Sequence, residues 1–151
     1  MATNTEDSIV REFTFRAPKE RVYSALTDPA QLVCWFPKAV EGTIGAGETP
    51  ILDFGEDGKV KIYVVAAEPH GYFAYRWVSG SHHSPHGFQG DVLNHPNTLV
   101  EFFIEEAPEG CHLRVVESGF ASLPAEIAAS NLKDNQEGWE FELARLVEYI
   151  G

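Results

Sequence analysis

The sequence predicts an α+β fold in which a curved antiparallel β-sheet packs against a long C-terminal helix. Two observations predict this fold. Segments with strand patterning follow one another through the middle of the chain and are separated by turns that contain glycine and proline. The final stretch, DNQEGWEFELARLVEYI, instead carries its apolar residues at helical spacing.

The first segment, IVREFTFRA, has the alternation of a half-buried strand. The next, APKERVYSALTDP, predicts a helix that has Pro18 in its first turn and places Val22, Ala25 and Leu26 on one face. The Asp-Pro dipeptide ends this helix, and PAQLVCWF predicts a second short helix.

The strands AVEGTIG and TPILDFG follow, and KVKIYVVAAEPHGYFAYRWVSG holds two more around a turn at residues 68–71. The clearest hairpin is TLVEFFIEEAPEGCHLRVVESGF, which turns at Pro108-Glu109-Gly110. In residues 79–97 the apolar residues do not recur at a regular spacing, which predicts a long irregular loop.

The C-terminal helix carries a narrow apolar stripe. Its members are Trp139, Leu132, Leu143, Leu146 and Ile150. Asn135 and Gln136 fall on the edges of this stripe, so we expect a sealed core at one end of the helix and a polar-lined cavity at the other. Gly138 lies on the flank, where we expect the absence of a side chain to let a strand or loop backbone approach.

Composition restricts the classes of function. The 151 residues fit one domain, 1–151, and the apolar fraction of 44% is enough for a real core. A net charge of −12 disfavours nucleic acid as a partner. No apolar run is long enough to cross a membrane, and the N-terminal residues lack a secretory pattern, so we expect a cytoplasmic protein. Cys34 and Cys111 are then expected to be free thiols.

Four stretches carry a resemblance to a known family: FTFRAPKERVYSALTDPAQLVCWF, AAEPHGYFAYRW, LRVVESGF and EGWEFELARLVEYI. In this order they resemble the SRPBCC (START/Bet v1-like) superfamily, and more closely the branch named after the activator of the heat-shock protein 90 ATPase. The resemblance implies a helix-grip fold, β-α-α-β6-α, with the sheet wrapped around the C-terminal helix. It also implies a hydrophobic cavity between sheet and helix. The loop of residues 79–97 departs from the short connection of typical members.

The resemblance makes several aromatic residues candidates for the cavity wall. Each has a plain alternative, which is packing in the core. The candidates are Trp35 and Phe36 after the second helix, Tyr75 and Trp77 on the strand face of Phe73, Phe120, and Trp139 with its polar neighbours Asn135 and Gln136.

Glu117 is the candidate polar group of the cavity, because it shares strand parity with Leu113 and Val115 and is expected to point inward. An inward carboxylate is costly unless it is paired or protonated. One interpretation pairs it with Arg76 or a histidine. The other makes it a polar handle, or an acid or base, inside the cavity.

The histidines of the long loop give a weak metal signal. His82 and His86 have i, i+4 spacing, but Pro85 and Gly87 disfavour a helix, so a solvated or pH-responsive loop containing also His83 and His95 is the better interpretation. His70 is expected in a hairpin turn, facing water. Because the nucleophile, phosphate-binding and zinc-protease motifs are missing, the sequence predicts no catalytic residue, metal or cofactor.

Three functions remain open from sequence. The first is a cytoplasmic binding protein for a hydrophobic or amphipathic small molecule, with a link to stress response through the family name. The second is a co-chaperone-like domain that stimulates a chaperone ATPase. The third is a cyclase or hydrolase that uses a cavity carboxylate. The oligomeric state is a separate open question, and an exposed edge strand makes a homodimer a candidate.

Overall fold

The computed structural model describes residues 7–78 and 90–151. Within this range the chain folds into the predicted order of one strand, two short helices, six strands and one long helix. The elements are β1 (Ser8–Phe15), α1 (Lys19–Thr27), α2 (Pro29–Leu32), β2 (Ala39–Glu41), β3 (Ile51–Asp53), β4 (Lys59–Glu68), β5 (Tyr72–Trp77), β6 (Thr98–Ala107), β7 (Gly110–Ser118) and α3 (Ala125–Ile150). Short 3-10 turns lie at Gly55–Asp57, Val92–Asn94 and Phe120–Ser122.

The strands form one antiparallel sheet in the order β1-β7-β6-β5-β4-β3-β2. β1, the first strand in the chain, lies at one edge of the sheet and pairs with the last strand, β7. A bulge between Val64 and Ala66 shifts the register of β4 against β5, and bulges of this kind bend a strand. The α+β helix-grip architecture that the sequence predicts is confirmed.

The break between α1 and α2 depends on the Asp-Pro dipeptide. Asp28 has an extended backbone, which ends α1, and its Oδ1 accepts a hydrogen bond of 3.0 Å from the Ala30 N–H. Pro29 occupies the first position of α2, where its missing N–H costs nothing. One dipeptide therefore stops the first helix and caps the second.

Arg21 ties both short helices to the end of the long one. Its guanidinium donates 3.1 Å to Gln31 Oε1 and 3.3 Å to the Tyr149 carbonyl, and it lies 4.7 Å from the centre of the Tyr149 ring. A cation at the last turn of a helix also complements the helix dipole.

α3 begins at Ala125, well before the stretch DNQEGWEFELARLVEYI, because the alanine-rich residues 125–133 are also good helix formers. Its apolar stripe faces the sheet as predicted: Trp139, Leu143 and Leu146 are buried, and Leu132 and Ile150 are half-buried. Within residues 7–78 and 90–151, no helix is both long enough and apolar enough to cross a membrane.

The structure contradicts the expectation for Gly138. This glycine is exposed, and a Cβ atom built on it meets no other atom within 4 Å, so no backbone approaches it. Its neighbour Trp139 points to the sheet, whereas position 138 lies about 100° round the helix and faces solvent.

We expect Gly138→Ala to stabilise the protein by about 1 kcal/mol, because alanine costs a helix less conformational entropy and finds open space here. Urea unfolding followed by circular dichroism measures the change. A loss of stability would show that the flank of α3 contacts something at this position.

Gly110→Ala is the matched control. A Cβ at Gly110 would overlap backbone atoms of Phe15 and Ala17, which cannot move without disturbing the β1–α1 connection. The same exchange is therefore expected to destabilise the protein by several kcal/mol, in line with forced overlap in a packed region.

Candidate functional site

Glu117 is buried on the face of the sheet that α3 covers. Its strand, β7, lies between β1 and β6, and the register places Glu117 opposite Ile9 on one side and Val100 on the other. Only 1% of its surface is exposed. The inward orientation that strand parity predicts for this carboxylate is therefore what the structure shows.

Four side chains donate hydrogen bonds to this carboxylate, and we call the five residues the Glu117 cluster. Trp139 Nε1 lies 2.7 Å from Oε1, and Trp77 Nε1 lies 2.9 Å from Oε2. The Thr98 hydroxyl donates to Oε2, and Asn135 Nδ2 contacts both oxygens at 2.9–3.0 Å. The cluster thus joins β5, β6, β7 and α3 through one carboxylate.

The donors of the cluster are all neutral, and within the described residues no cation pairs with Glu117. The predicted pairing with Arg76 is wrong, whereas the alternative pairing with a histidine stays a prediction, because His82, His83 and His86 lie outside the described residues. Arg76 has the opposite parity to Trp77 on β5 and donates instead to Asn97 Oδ1 at 3.1 Å. Burial raises the pKa of the Glu117 carboxyl above 4.5, and the hydrogen bonds from its four partners oppose that rise only in part.

A stack of three rings, the ring stack, lies beside the cluster. Phe36 lies nearly parallel to Trp35, with ring centres 5.0 Å apart, and nearly parallel to Trp139, with ring centres 5.6 Å apart. Trp77 and Phe54 contact the same Phe36 ring at 6.2 Å and 5.2 Å. These separations are typical of stabilising aromatic pairs. The stack therefore connects the Glu117 cluster to the end of α2.

An apolar void lies on the side of the ring stack that faces α1 and α2. Its volume of about 10 Å³ has room for about one water molecule. It is lined by Leu26, Leu32, Trp35, Phe36, Ile44, Leu52, Ile62, Phe73, Tyr75 and Phe102. The wall contains no residue of α3, so this void lies away from the polar end of the long helix.

Tyr75 is a residue of this apolar wall whose side chain carries a hydroxyl. The residue is 2% exposed, and its hydroxyl has no hydrogen-bond partner among the described residues. Burial raises the pKa of Tyr75 well above 10, and the negative charges of Glu117 and Glu142 raise it further. The side chain is consequently a neutral phenol that is free to donate one hydrogen bond and to accept another.

The other predicted site residues are dispersed. Phe120 is fully buried in the 3-10 turn after β7, where it belongs to the general core. Gln136 is half-buried on α3 and makes no side-chain hydrogen bond to any described residue. Among the predicted residues the structure thus brings together Trp35, Phe36, Tyr75, Trp77, Glu117, Asn135 and Trp139.

The histidine predictions fall partly outside the described residues. His82, His83 and His86 all lie in residues 79–89, which the structure does not describe. His95 lies directly after the 3-10 turn of Val92–Asn94. In the described ranges, no three histidine, cysteine or acidic side chains converge as a metal site would require. His70 is exposed in the predicted turn and lies edge-on to Tyr23.

Sequence reasoning missed Thr98 and Asn131. Thr98 begins β6 with the same parity as Val100 and Phe102, so extending the inward set by one residue would have found it. Asn131 is 3% exposed one helical turn before Asn135, and its Oδ1 has no partner among the described residues. Asn131, Asn135 and Trp139 are spaced four residues apart along α3, and this spacing would have placed all three on the same face of the helix.

Comparison with protein families gives one match that covers most of the chain. The model described as "Activator of Hsp90 ATPase homolog 1-like protein" matches residues 16–151. The chain belongs to this family. A search of curated proteins found no match.

Solved structures share the fold of this family member at low sequence identity. Protein MLL2253 from Mesorhizobium loti has a TM-score of 0.75 at 20% identity, covering 95% of this chain and 96% of its own. CalU16 from Micromonospora echinospora has a TM-score of 0.71 at 23% identity, with coverages of 95% and 76%. The Aha1 dimer from Colwellia psychrerythraea has a TM-score of 0.68 at 20% identity, with 95% of each chain covered.

The Glu117 cluster has an expected signature in the pH dependence of stability. Because folding raises the pKa of Glu117, the folded state binds this proton more tightly than the unfolded state does. The stability contributed by the proton is complete below the unfolded value and is lost as pH rises through the raised value. We therefore expect wild type to lose more stability than Glu117→Gln as the pH rises from the ordinary glutamate range upward.

Urea unfolding of both proteins across this range measures the difference. Glu101→Gln, on the outer face of the same sheet, is the control for removing one negative charge. If wild type and Glu117→Gln keep a constant difference in the free energy of unfolding at every pH, the buried carboxyl does not titrate as burial requires.

Proposed function

We propose that this protein, a single helix-grip domain of the cytoplasm, binds one hydrophobic or amphipathic small molecule in the interior between its sheet and its helices. The observation that carries the proposal is the Glu117 cluster: a carboxylate that is 1% exposed, held by neutral donors and placed among aromatic rings. A core that served stability alone gains little from such a group, since apolar residues in its place are often neutral or stabilising.

The surroundings of the cluster support the same proposal. Ligand pockets in proteins are mostly apolar and contain a few polar groups that fix the orientation of the ligand. Here Trp35, Phe36 and Phe102 supply apolar walls, and the Tyr75 hydroxyl is a polar group without a partner among the described residues. Since the void holds about one water, a larger molecule binds to a state in which a wall side chain has moved.

The same geometry makes an acid–base enzyme the weaker proposal. Both oxygens of Glu117 already accept hydrogen bonds, from Trp139 and Asn135 on one side and from Trp77 and Thr98 on the other. Proton exchange with a substrate requires one of these donors to leave first. A positioning role, in which the carboxylate holds two indoles in place, needs no such step.

Native mass spectrometry of the freshly purified protein tests the proposal. We expect wild type and the outer-face control Glu101→Gln to carry an added mass of a few hundred daltons. Glu117→Gln, confirmed as folded by circular dichroism, is expected to lose that mass, because an amide presents a donor to at least one of the two indole N–H groups. A bare chain in all three proteins, together with no thermal shift from a library of apolar compounds, would reject small-molecule binding.

A chaperone role is the second candidate, and the description of the family is the observation that favours it. A net charge of −12 suits a basic partner surface, and pairing of exposed edge strands would give the homodimer that is named for the Colwellia protein. If this candidate holds, adding the protein raises the ATPase rate of a chaperone of the Hsp90 class, and the effect weakens with salt. An unchanged rate at equimolar and tenfold excess would reject it.

A further inference from the structure

Phe36 differs from its two neighbours in the ring stack because it has no polar anchor. Trp35 Nε1 donates to the Ala25 carbonyl at 2.8 Å, and Trp139 Nε1 donates to Glu117. These bonds fix the two indoles to α1 and to the Glu117 cluster. The side chain of Phe36 is held by apolar contacts alone, so its ring is the one that leaves the stack without breaking a hydrogen bond.

The backbone around Phe36 also permits such a movement. Phe36 lies between the end of α2 at Leu32 and the start of β2 at Ala39, outside every helix and strand. Rotation about its side-chain bonds therefore disturbs neither a helix nor a sheet ladder. The space that its ring leaves is flat, has an indole on two sides, and is continuous with the void, because Phe36 is part of the wall of that void.

Tyr75 supplies the second, independent observation. Tyr75 belongs to the wall of the same void, and its buried hydroxyl has no hydrogen-bond partner within residues 7–78 and 90–151. A buried hydroxyl without a partner is unfavourable, and a ligand oxygen that pairs with it relieves this cost. Tyr75, which carries the polar handle, and Phe36, whose ring leaves the flat space, thus belong to one wall.

The electrostatics of the wall restrict the charge of the ligand. The ten residues that line the void include no lysine, arginine or histidine. An anionic ligand would be placed in a dry site whose wall offers no cation to pair with it, which is strongly unfavourable.

We infer that the interior takes a neutral, planar aromatic compound that carries a hydrogen-bonding oxygen. Its ring takes the place of Phe36 against Trp35 and Trp139, and its oxygen pairs with the Tyr75 hydroxyl. This inference rests on the proposed small-molecule function and specifies the class of ligand for it.

The test is isothermal titration calorimetry of the wild-type protein with three probes: naphthol (planar and neutral), naphthoate (planar and anionic) and decalinol (saturated and neutral). We expect naphthol to bind at least about tenfold more tightly than either of the others, a difference of ~1.4 kcal/mol. Equal or tighter binding of decalinol or naphthoate would overturn the inference.

Variants locate the site. Phe36→Ala vacates the ring position, and we expect it to bind naphthol about tenfold more tightly, because the protein no longer has to displace its own ring. Phe36→Leu keeps apolar volume without a stacking ring, so it gives the same direction of change if the alanine variant fails to fold. Phe103→Ala removes a ring from the outer face of the sheet and is expected to leave the affinity unchanged.

Tyr75→Phe tests the polar handle. We expect it to weaken naphthol about tenfold and to leave naphthalene unchanged, because only naphthol has an oxygen for the lost hydroxyl. The indole N–H signals of Trp35 and Trp139 are expected to shift with naphthol in wild type. Unshifted signals, or an affinity that Phe36→Ala lowers, would overturn the inference.

Different results would overturn the proposed small-molecule function and the inferred aromatic class of ligand. A co-purified ligand in native mass spectrometry together with a reversed order of the three probes overturns the aromatic inference and leaves small-molecule binding intact. The absence of a co-purified ligand together with no binding of any probe to any variant overturns both.

Discussion

The buried carboxylate of Glu117 is the interaction on which the interior depends. It receives hydrogen bonds from two strands that neighbour one another in the sheet and from the helix that crosses them. The two indoles that donate to it are thereby fixed in position and in ring plane. Because Trp139 is one of them, the orientation of the ring stack follows from the position of a single carboxylate. An apolar residue at position 117 would fill space without imposing such directions, since apolar packing has no preferred angle.

The outline of this arrangement could be predicted from the sequence, because it depends on local periodicity. Strand parity alone indicates that Glu117 points inward, and helical spacing indicates that Trp139 faces the sheet. The Asp-Pro dipeptide fixes the break between the short helices for reasons of local backbone chemistry. The order of strands and helices follows from the same signals, and the resemblance to a known family agrees with it.

The partners of Glu117 could not be predicted in the same way, because they come from separate elements and depend on packing. A charged partner is the simplest expectation for a buried carboxylate, yet strand parity sends Arg76 to the outer face. Neutral donors take its place. One of them, Thr98, is the first residue of β6, and the alternating pattern read from the sequence was not extended to it. Gly138 illustrates the opposite error: a residue that is unusual in sequence lies in open solvent, where it contacts nothing.

The interior therefore has two halves with different mechanical properties. On the side of α3, directional hydrogen bonds hold Trp77, Trp139 and Asn135 around Glu117. Moving any of these side chains leaves a buried donor without an acceptor. On the side of α1 and α2, apolar contacts surround a small void, and the irregular segment between α2 and β2 contributes the ring of Phe36. Contacts of the second kind can be exchanged for those of another apolar molecule at little cost, because they carry no directional requirement. Phe36 lies where the halves meet, so a ligand that replaces it gains the fixed indole faces while the polar cluster stays intact.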